Sequence, residues 1–314
     1  MAGAIEQKGS LTVGQFALGM RGGVTGSVRQ QVHDGDTLNV RAIGNFGVRF
    51  LGVDAPEISF QLQTNGPFLG LASQQWRDYL ANPFAAGLAR FNPALNVGLI
   101  GHLQPRFTTQ TALNHHEHAS AAEDEMERLV LADIATLGQD EDTFRFFMAF
   151  AHEVTDRYGR LLGFINREQP SGPRPLPYNE RLLASGHVSP YFIWPNINPF
   201  RKSASVTAAV IPAGHARTTV DADASFSAAR QSIRVARQQH LGVYDAGNPL
   251  TLQPFEVRFL ARRQPPDRWV IDLSKNNDEL IPPQEYFTIP NEEDRLFIPS
   301  EYVPLFVEAG WRRL

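Results

Sequence analysis

The sequence predicts a mainly β chain with helices packed on the sheet, an α+β class. Two β-rich stretches, at about 36–43 and 47–53, follow an Asp-Gly turn at residues 34–35. Apolar runs at 144–151 and 161–165 flank a second turn. Amphipathic spacing typical of helices recurs between and after these runs.

The predicted strands are taken in chain order. A glycine-rich lead-in precedes a first strand at about 24–33, and the next two strands complete a β-meander. The runs at 144–151 and 161–165 add a second hairpin, so we expect five strands in all. Three helices are predicted, at 67–81, 179–186 and 223–241. The first begins with Pro67, which suits the first turn of a helix.

The domain organisation follows from where these elements stop. We predict a lead-in at 1–23, a central domain at 24–245 with an insertion at about 82–140, and an extension at 246–314. The insertion begins as an extended loop and ends as a helix from Ser120, where the spacing favours a capping box. The extension has β-like runs at 255–260, 269–273 and 287–289, which predict a β-rich segment.

Composition restricts the class of protein. The chain has 314 residues, 42% of them hydrophobic, which is enough for a substantial core. It has no cysteine, which excludes disulfides, thiolate catalysis and Cys-ligated zinc. No apolar segment is long enough to span a membrane, and the start of the chain has no apolar leader. We expect a soluble protein, with a cytoplasmic location favoured and export left open.

Charge is unevenly distributed. The net charge is −4, whereas a protein that binds polyphosphate usually presents basic groups. Residues 141–240, however, carry 12 basic and 8 acidic side chains. A local basic face is therefore compatible with the negative total.

Charged residues gather around the predicted hairpin. Asp36 begins one strand, Arg49 lies within the next, and Asp54 and Glu57 follow where that strand stops at Pro56. Carboxylate oxygens suit a hard cation, and a planar guanidinium suits a phosphate. The grouping therefore predicts a metal-and-phosphate site.

These residues resemble the staphylococcal nuclease (thermonuclease) family. Asp54 and Glu57 follow Arg49 by five and eight positions, as in the family. The stretch from Asp156 through Tyr158-Gly159-Arg160 to Gly163 is similar to the family's later motif. A weaker match is the stretch 179–186. The resemblance covers about 24–80 and 141–245.

The resemblance implies a five-stranded OB-fold barrel and a calcium-dependent nuclease that cleaves DNA, and RNA as a further substrate, with little sequence preference. It implies a Ca²⁺ site at Asp36, Asp54 and the backbone carbonyl of Ala55, where the family more often has Thr. Glu57 is similar to the family's general base. The resemblance also implies that the substrate is bound by Arg49, Tyr158 and Arg160. The two arginines would be catalytic as well.

Other interpretations stay open. The same fold occurs in non-catalytic OB-fold modules that bind nucleic acid. A third hypothesis is a nuclease masked by its own insertion or extension. The run His115-His116-Glu117-His118 is expected to be a solvated loop, because consecutive residues rarely converge on one metal ion. His33 is expected to be an exposed residue at a strand end, with contact to the site as the alternative.

Overall fold

The computed structural model describes residues 4–8, 11–32, 37–62, 66–156, 158–169, 171–197 and 203–314. The chain divides into two compact units. Unit 1 comprises Met1–Phe50 and Glu153–Gly163, and unit 2 comprises Leu51–His152 and Phe164–Leu314. Strands β11 (Phe146–Thr155) and β12 (Leu161–Arg167) contribute residues to both units.

The described residues of unit 1 form short strands and a short helix. In chain order they are β1 (Ile5–Lys8), β2 (Leu11–Gly14), β3 (Phe16–Leu18), β4 (Met20–Arg21), β5 (Val24–Thr25), α1 (Val28–Gln31), β6 (Val40–Ala42) and β7 (Val48–Phe50). β1 pairs with β2, β3 with β6 and β4 with β5, all antiparallel. β7 pairs in parallel with the start of β12, and this register sets Arg49 opposite Leu162.

Unit 2 contains most of the helices. Its strands are β8 (Gly52–Asp54), β9 (Ser59–Gln61), β10 (Phe68–Gly70), β13 (Ser189–Ile193), β14 (Trp269–Asp272), β15 (Glu279–Leu280), β16 (Arg295–Ile298) and β17 (Arg312–Arg313). Its helices are α2 (Gln74–Ala81), α3 (Val97–Leu103), α4 (Thr111–Leu137), α5 (Tyr178–Ala184), α6 (Ala216–Ala222), α7 (Ala224–Gln238), α8 (Pro254–Arg262) and α9 (Val303–Glu308).

A four-stranded sheet in unit 2 places the end of β8. Its order is β14-β16-β13-β8, with β13 parallel to β16 and antiparallel to β8. Asn179 in α5 also holds this region, because its side-chain amide donates to the carbonyl of Leu51 at 2.8 Å. Asp54 lies opposite Ser189 at the end of this edge strand.

The main hydrophobic core of unit 2 joins the predicted insertion to the predicted extension. Leu99, Leu103 and Ala112, from the insertion, are fully buried in one cluster with residues of α2 and of the extension. The extension's members of this cluster are Leu252, Phe255, Val257, Phe259, Leu260, Ala261, Val270, Ile281, Tyr286, Ile289 and Phe297. These segments are therefore structural parts of the unit.

The predicted mixed class of strands and helices is confirmed, but the predicted predominance of β structure is wrong, because helices hold more of the described residues than strands do. The described residues form β11, β12, α5 and α7 close to their predicted positions. Among the strands they form, hydrogen-bonded pairing gives sheets of two to four strands and no closed barrel. The OB-fold stays a prediction, as does the division into domains at residues 24–245 and 246–314. No helix in the described part of the chain is long and apolar enough to cross a membrane.

The predicted β-rich extension is wrong, because its first run is helix α8. Pro254 occupies the first helical turn, and the backbone N–H of Gln253 donates to Glu256 Oε2 at 2.7 Å as a capping interaction. Phe255 and Phe259 are four residues apart, which suits one helix face as well as alternation suits a strand. The predicted strand at 287–289 is also wrong, since Pro283–Thr288 forms a 3₁₀ helix. Only the run at 269–273 is a strand as predicted.

Earlier elements also differ from prediction. The predicted strand at 24–33 stops after β5, because the Gln30 side chain accepts from the Ser27 amide and starts α1. The predicted helix at 67–81 begins only at Gln74, since β10 pairs with β9 before it. The predicted strand at 47–53 is two strands, separated near Gly52, whose φ of 77° favours glycine.

Asp133 of α4 is the centre of a buried polar network. It is 4% exposed and accepts hydrogen bonds from Tyr178 Oη at 2.7 Å, Arg181 Nη2 at 2.6 Å and Arg167 Nη1 at 3.0 Å. Burial raises the pKa of an aspartate, but these donors lower the pKa of Asp133 overall. The network joins α4 to α5 and β12.

We expect Asp133→Asn to lower the free energy of unfolding by about 3 kcal/mol, because it leaves two arginines short of a buried counter-ion. Urea unfolding followed by far-UV circular dichroism measures the change. Asp124→Asn, on an exposed position of the same helix, is the matched control and should change it by under about 0.5 kcal/mol. Equal stability of the two variants would contradict the structural role.

Candidate functional site

The turn after β8 carries two of the predicted site carboxylates. Asp54 is 1% exposed, Ala55 is exposed, and the Glu57 side chain is 23% exposed. Pro56 has no backbone N–H to donate, so the pairing of β8 with β13 ends at Asp54. A buried carboxylate and a partly exposed one therefore lie three residues apart at a sheet edge.

One guanidinium binds both carboxylates. Arg258 of α8 donates from Nη2 to Asp54 Oδ2 at 2.7 Å and from Nη1 to Glu57 Oε1 at 2.8 Å. Its side chain is 13% exposed. Burial on its own lowers the pKa of a guanidinium, but the charges of Asp54 and Glu57 raise the pKa of Arg258 overall. Arg258 is therefore charged at any working pH.

Helix α8 is held by a second buried carboxylate. Glu256 is fully buried and accepts a hydrogen bond from Tyr286 Oη. Arg106 Nη1 lies 3.3 Å from both carboxylate oxygens, and His102 Nε2 lies 3.6 Å from Oε1. Burial raises the pKa of a glutamate, yet His102, Arg106 and Tyr286 lower the pKa of Glu256 overall. These bonds fix the helix turn from which Arg258 extends.

The backbone of the turn is held by His115 from α4. The amide N–H of Glu57 donates to His115 Nε2 at 2.9 Å. Nε2 must be unprotonated to accept, so the neutral ring carries its proton on Nδ1. Burial first, and then the positive charge of Arg258, lower the pKa of His115 to about 3. The ring is therefore neutral at physiological pH.

Helix α4 also binds the segment that leads into α8. Asn114 Nδ2 donates to Asn248 Oδ1 at 2.9 Å and to the carbonyl of Pro249 at 3.0 Å. The amide of Thr251 donates to Asn114 Oδ1 at 2.9 Å, and His118 Nε2 lies 2.7 Å from the carbonyl of Asn248. The expectation that residues 115–118 form a solvated loop is wrong, because His115 and His118 are buried on a helix.

Unit 1 holds the other described residues of the predicted site. Arg49 is half-buried in β7. Asp156 accepts from Arg160 Nε at 2.8 Å, and Arg160 Nη2 lies 2.7 Å from its Oδ2. The Arg160 guanidinium is 5.5 Å from the centroid of the Tyr158 ring. Gly159 has φ of 81°, and a Cβ there would lie 2.6 Å from Ile5 Cγ2, so the turn needs glycine.

The predicted residues can now be placed. Asp54, Ala55 and Glu57 belong to unit 2, and Arg49, Tyr158 and Arg160 belong to unit 1. Asp36 and His33 lie outside the described residues. Within the described part of the chain, no group of three or more Asp, Glu or His side chains is arranged to hold a metal ion.

The donor set at the turn still fits a hard cation in part. The Asp54 carboxylate and a backbone carbonyl at Ala55 are the oxygen ligands that Ca²⁺ prefers. Arg258 already binds Oδ2 of Asp54, however. A cation at this position would share Asp54 with the guanidinium or replace it.

The chain is similar to the Endonuclease YhcR of Bacillus subtilis (strain 168). The two are 26% identical over 148 residues, which is 47% of this chain and 10% of the relative. The chain thus spans about one-tenth of the length of that curated relative. No family model and no solved structure matches it.

Sequence reasoning missed Arg258 and His115. Arg258 is a lone charge in the apolar run 255–260, and a buried charge of this kind needs a partner. The sequence pattern does not reveal His115, because the helix begins at Thr111 and not at Ser120, where the sequence predicts its start.

The buried neutral His115 makes stability depend on pH. Its pKa is lower in the folded chain than in the unfolded chain, so stability falls as pH drops below about 6.5 towards 3. We expect the titration of His115 to lower the free energy of unfolding by about 2 kcal/mol between pH 7 and pH 5. His115→Gln should therefore show a smaller loss over this interval than the wild type.

Urea unfolding at pH 7 and pH 5 measures both losses. His116→Gln, at the adjacent and partly exposed position, is the matched control and should keep the wild-type dependence. An unchanged pH dependence in His115→Gln would show that the ring is not buried in its neutral form.

Proposed function

We propose that the chain is a nuclease that hydrolyses phosphodiester bonds in DNA, and also in RNA, with low sequence preference and with Ca²⁺. The observation that carries the proposal is the turn at residues 54–57, where the buried Asp54 and the partly exposed Glu57 bind one guanidinium. The partial similarity to an endonuclease supports it.

Glu57 is assigned as the general base. Its Oε1 accepts from Arg258, which leaves Oε2 to accept a proton from a water molecule. The hydrogen bond from its own amide to His115 fixes the backbone from which the carboxylate extends. A general base of this kind raises the reaction rate roughly 10²–10⁴-fold.

Arg49 and Arg160 are assigned to bind the phosphate of the substrate. A guanidinium donates two parallel hydrogen bonds to phosphate oxygens, and its charge stabilises the extra negative charge of the transition state. Tyr158 is assigned to contact the nucleotide. Asp156 orients Arg160 through the bonds described above.

Asp36, Asp54 and the carbonyl of Ala55 are assigned as the ligands of the cation. Ca²⁺ bound there would supply positive charge beside the phosphate. By resemblance to the thermonuclease family, the 5′ oxygen of the phosphodiester is the leaving group.

Cleavage of single-stranded and duplex DNA by the purified chain tests the function. We expect cleavage with Ca²⁺ and none with excess chelator, with Mg²⁺ run in parallel. Arg49→Ala should abolish it, which also excludes a contaminating nuclease. Nucleic-acid binding without cleavage under every condition would overturn the proposal and favour a non-catalytic binding module.

Glu57→Gln tests the general base. Because a glutamine oxygen can still accept from Arg258, we expect kcat to fall by about 10²–10⁴ while calcium affinity is mostly kept. Glu123→Gln, on an exposed position of α4, is the matched control and should have wild-type activity. A Glu57→Gln variant that lost only calcium affinity would show that Glu57 is a ligand and not the base.

A further inference from the structure

A cavity of about 270 Å³ lies in unit 2, between the end of α7 and the segment that leads into α8. Ser189 of β13 lines it, and the same residue is paired with Asp54 across the ladder between β13 and β8. Residues paired in this way have Cα atoms about 4.5–5.5 Å apart. His240 also lines the cavity and is exposed, so a ligand can reach it from solvent. The cavity is therefore beside the carboxylate turn and in the same unit.

The lining combines apolar walls with several polar groups. The apolar surface comes from Val243, Pro249 and Leu250. The polar lining residues are Ser189, Arg237, His240, Tyr244, Gln253 and Glu292. Small-molecule sites have this composition, and a volume at the lower end of their range suits a single flat ring system.

Backbone hydrogen bonds fix the walls of the cavity. The N–H of Val243 donates to the carbonyl of Gly186 at 2.7 Å, and the N–H of Leu250 donates to the carbonyl of Val243 at 2.9 Å. Gly242 has φ of 53°, and a Cβ there would overlap the carbonyl of Gly186, so this close approach needs glycine. The cavity is therefore formed before a ligand binds.

Glu292 accepts hydrogen bonds from neutral donors. Its Oε1 accepts from Gln253 Nε2 at 2.6 Å, and its Oε2 accepts from Tyr244 Oη at 3.3 Å. Glu293, the next residue, is instead paired with Arg237. Burial raises the pKa of Glu292 overall. Since a carboxylate has about four positions that accept a hydrogen bond, Glu292 can accept further N–H donors from a ligand.

Ser189 supplies a donor to the same cavity. The residue is 3% exposed, and within the described part of the chain its Oγ has no hydrogen-bond partner. Buried hydroxyls are normally hydrogen-bonded, and an unpaired one is destabilising. A ligand carbonyl in the cavity would accept from this hydroxyl.

These groups favour a neutral, flat ligand with adjacent N–H donors and a carbonyl. The guanidinium of Arg237 lines the cavity, which disfavours a cation. Among the nucleobases, guanine has this pattern, because N1–H and the 2-amino group are parallel donors beside the O6 carbonyl. Adenine has an unprotonated N1 and no carbonyl, so it matches neither Glu292 nor Ser189.

We propose that this cavity is a base-binding subsite of the nuclease and that it binds guanine. Glu292 accepts from N1–H and the 2-amino group, and the hydroxyl of Ser189 donates to O6. This inference rests on the proposed function. Contacts to phosphate carry no sequence information, so the cavity adds a preference at one nucleotide and leaves the overall sequence preference low.

Calorimetric titration of the 5′-monophosphates of guanosine, adenosine and inosine into the full chain, in metal-free buffer, tests the cavity without cleavage. Inosine keeps N1–H and O6 but lacks the 2-amino group, and the phosphate is the same in all three. We expect guanosine monophosphate to bind at least about fivefold more tightly than either of the others.

Two variants and a control assign this preference to the cavity. Glu292→Gln can still accept from Gln253 but has one acceptor oxygen in place of two, so the preference for guanosine monophosphate should fall below about twofold. Ser189→Ala removes only an unpaired hydroxyl, so it should fold as the wild type does and bind guanosine monophosphate more weakly. Glu308→Gln, on an exposed position of α9, is the matched control and should keep the wild-type preference.

Mapping of the cut positions in single-stranded DNA of mixed sequence, with Ca²⁺ present, tests the link to cleavage. We expect guanine to be enriched at a fixed position beside the cut with the wild type, and not with Glu292→Gln. Cleavage without this enrichment overturns the subsite and leaves the nuclease intact, even where guanosine monophosphate binds, because the cavity would then serve a free nucleotide.

The titrations can also overturn the subsite without reference to cleavage. Equal binding of the three monophosphates by the wild type does so, as does the full preference in a folded Glu292→Gln variant. A preference for guanosine monophosphate in a chain that cleaves under no condition overturns the proposed function and leaves a guanine-binding cavity.

Discussion

The guanidinium of Arg258 is the interaction on which the proposed carboxylate site depends. It binds Asp54 at 2.7 Å and Glu57 at 2.8 Å, and all three side chains are largely shielded from water. Two carboxylates at the end of an edge strand would repel one another without a cation between them. Charge neutralisation by Arg258 therefore stabilises this turn.

The guanidinium is supplied by helix α8, which belongs to the predicted extension. Helix α8 is fixed by the Glu256 cluster, and its apolar face lies in a core that also includes α2 and α3. His115, from the predicted insertion, binds the backbone of the same turn. The insertion and the extension thus support the carboxylates from two sides. Deleting residues 82–140 would remove core side chains together with His115, so such a deletion cannot test the hypothesis of a masked nuclease.

Much of the fold was predictable where local patterns are unambiguous. Each of β11, β12 and α7 has an apolar pattern that fits a single type of element. The turn at residues 54–57 is predicted from Pro56. The run 255–260 satisfies both a strand and a helix pattern, so its structure is decided by the cap at Gln253 and Glu256 and by burial. The pairing of Arg258 with Asp54 joins residues 204 positions apart, and no local pattern carries that information. The roles of Asp36, Arg49 and Arg160 stay predictions from the resemblance.

The central claim is that Arg258 stabilises the turn through Asp54, and a double-mutant cycle tests it most directly. The free energy of unfolding is measured for the wild type, Asp54→Asn, Arg258→Met and the double variant in metal-free buffer. The account predicts that the sum of the two single losses in unfolding free energy exceeds the loss in the double variant by about 1–3 kcal/mol. The reason is that each single change leaves the other charge buried and short of its partner. Losses that add to within about 0.5 kcal/mol would show that the two residues act independently and would contradict the account.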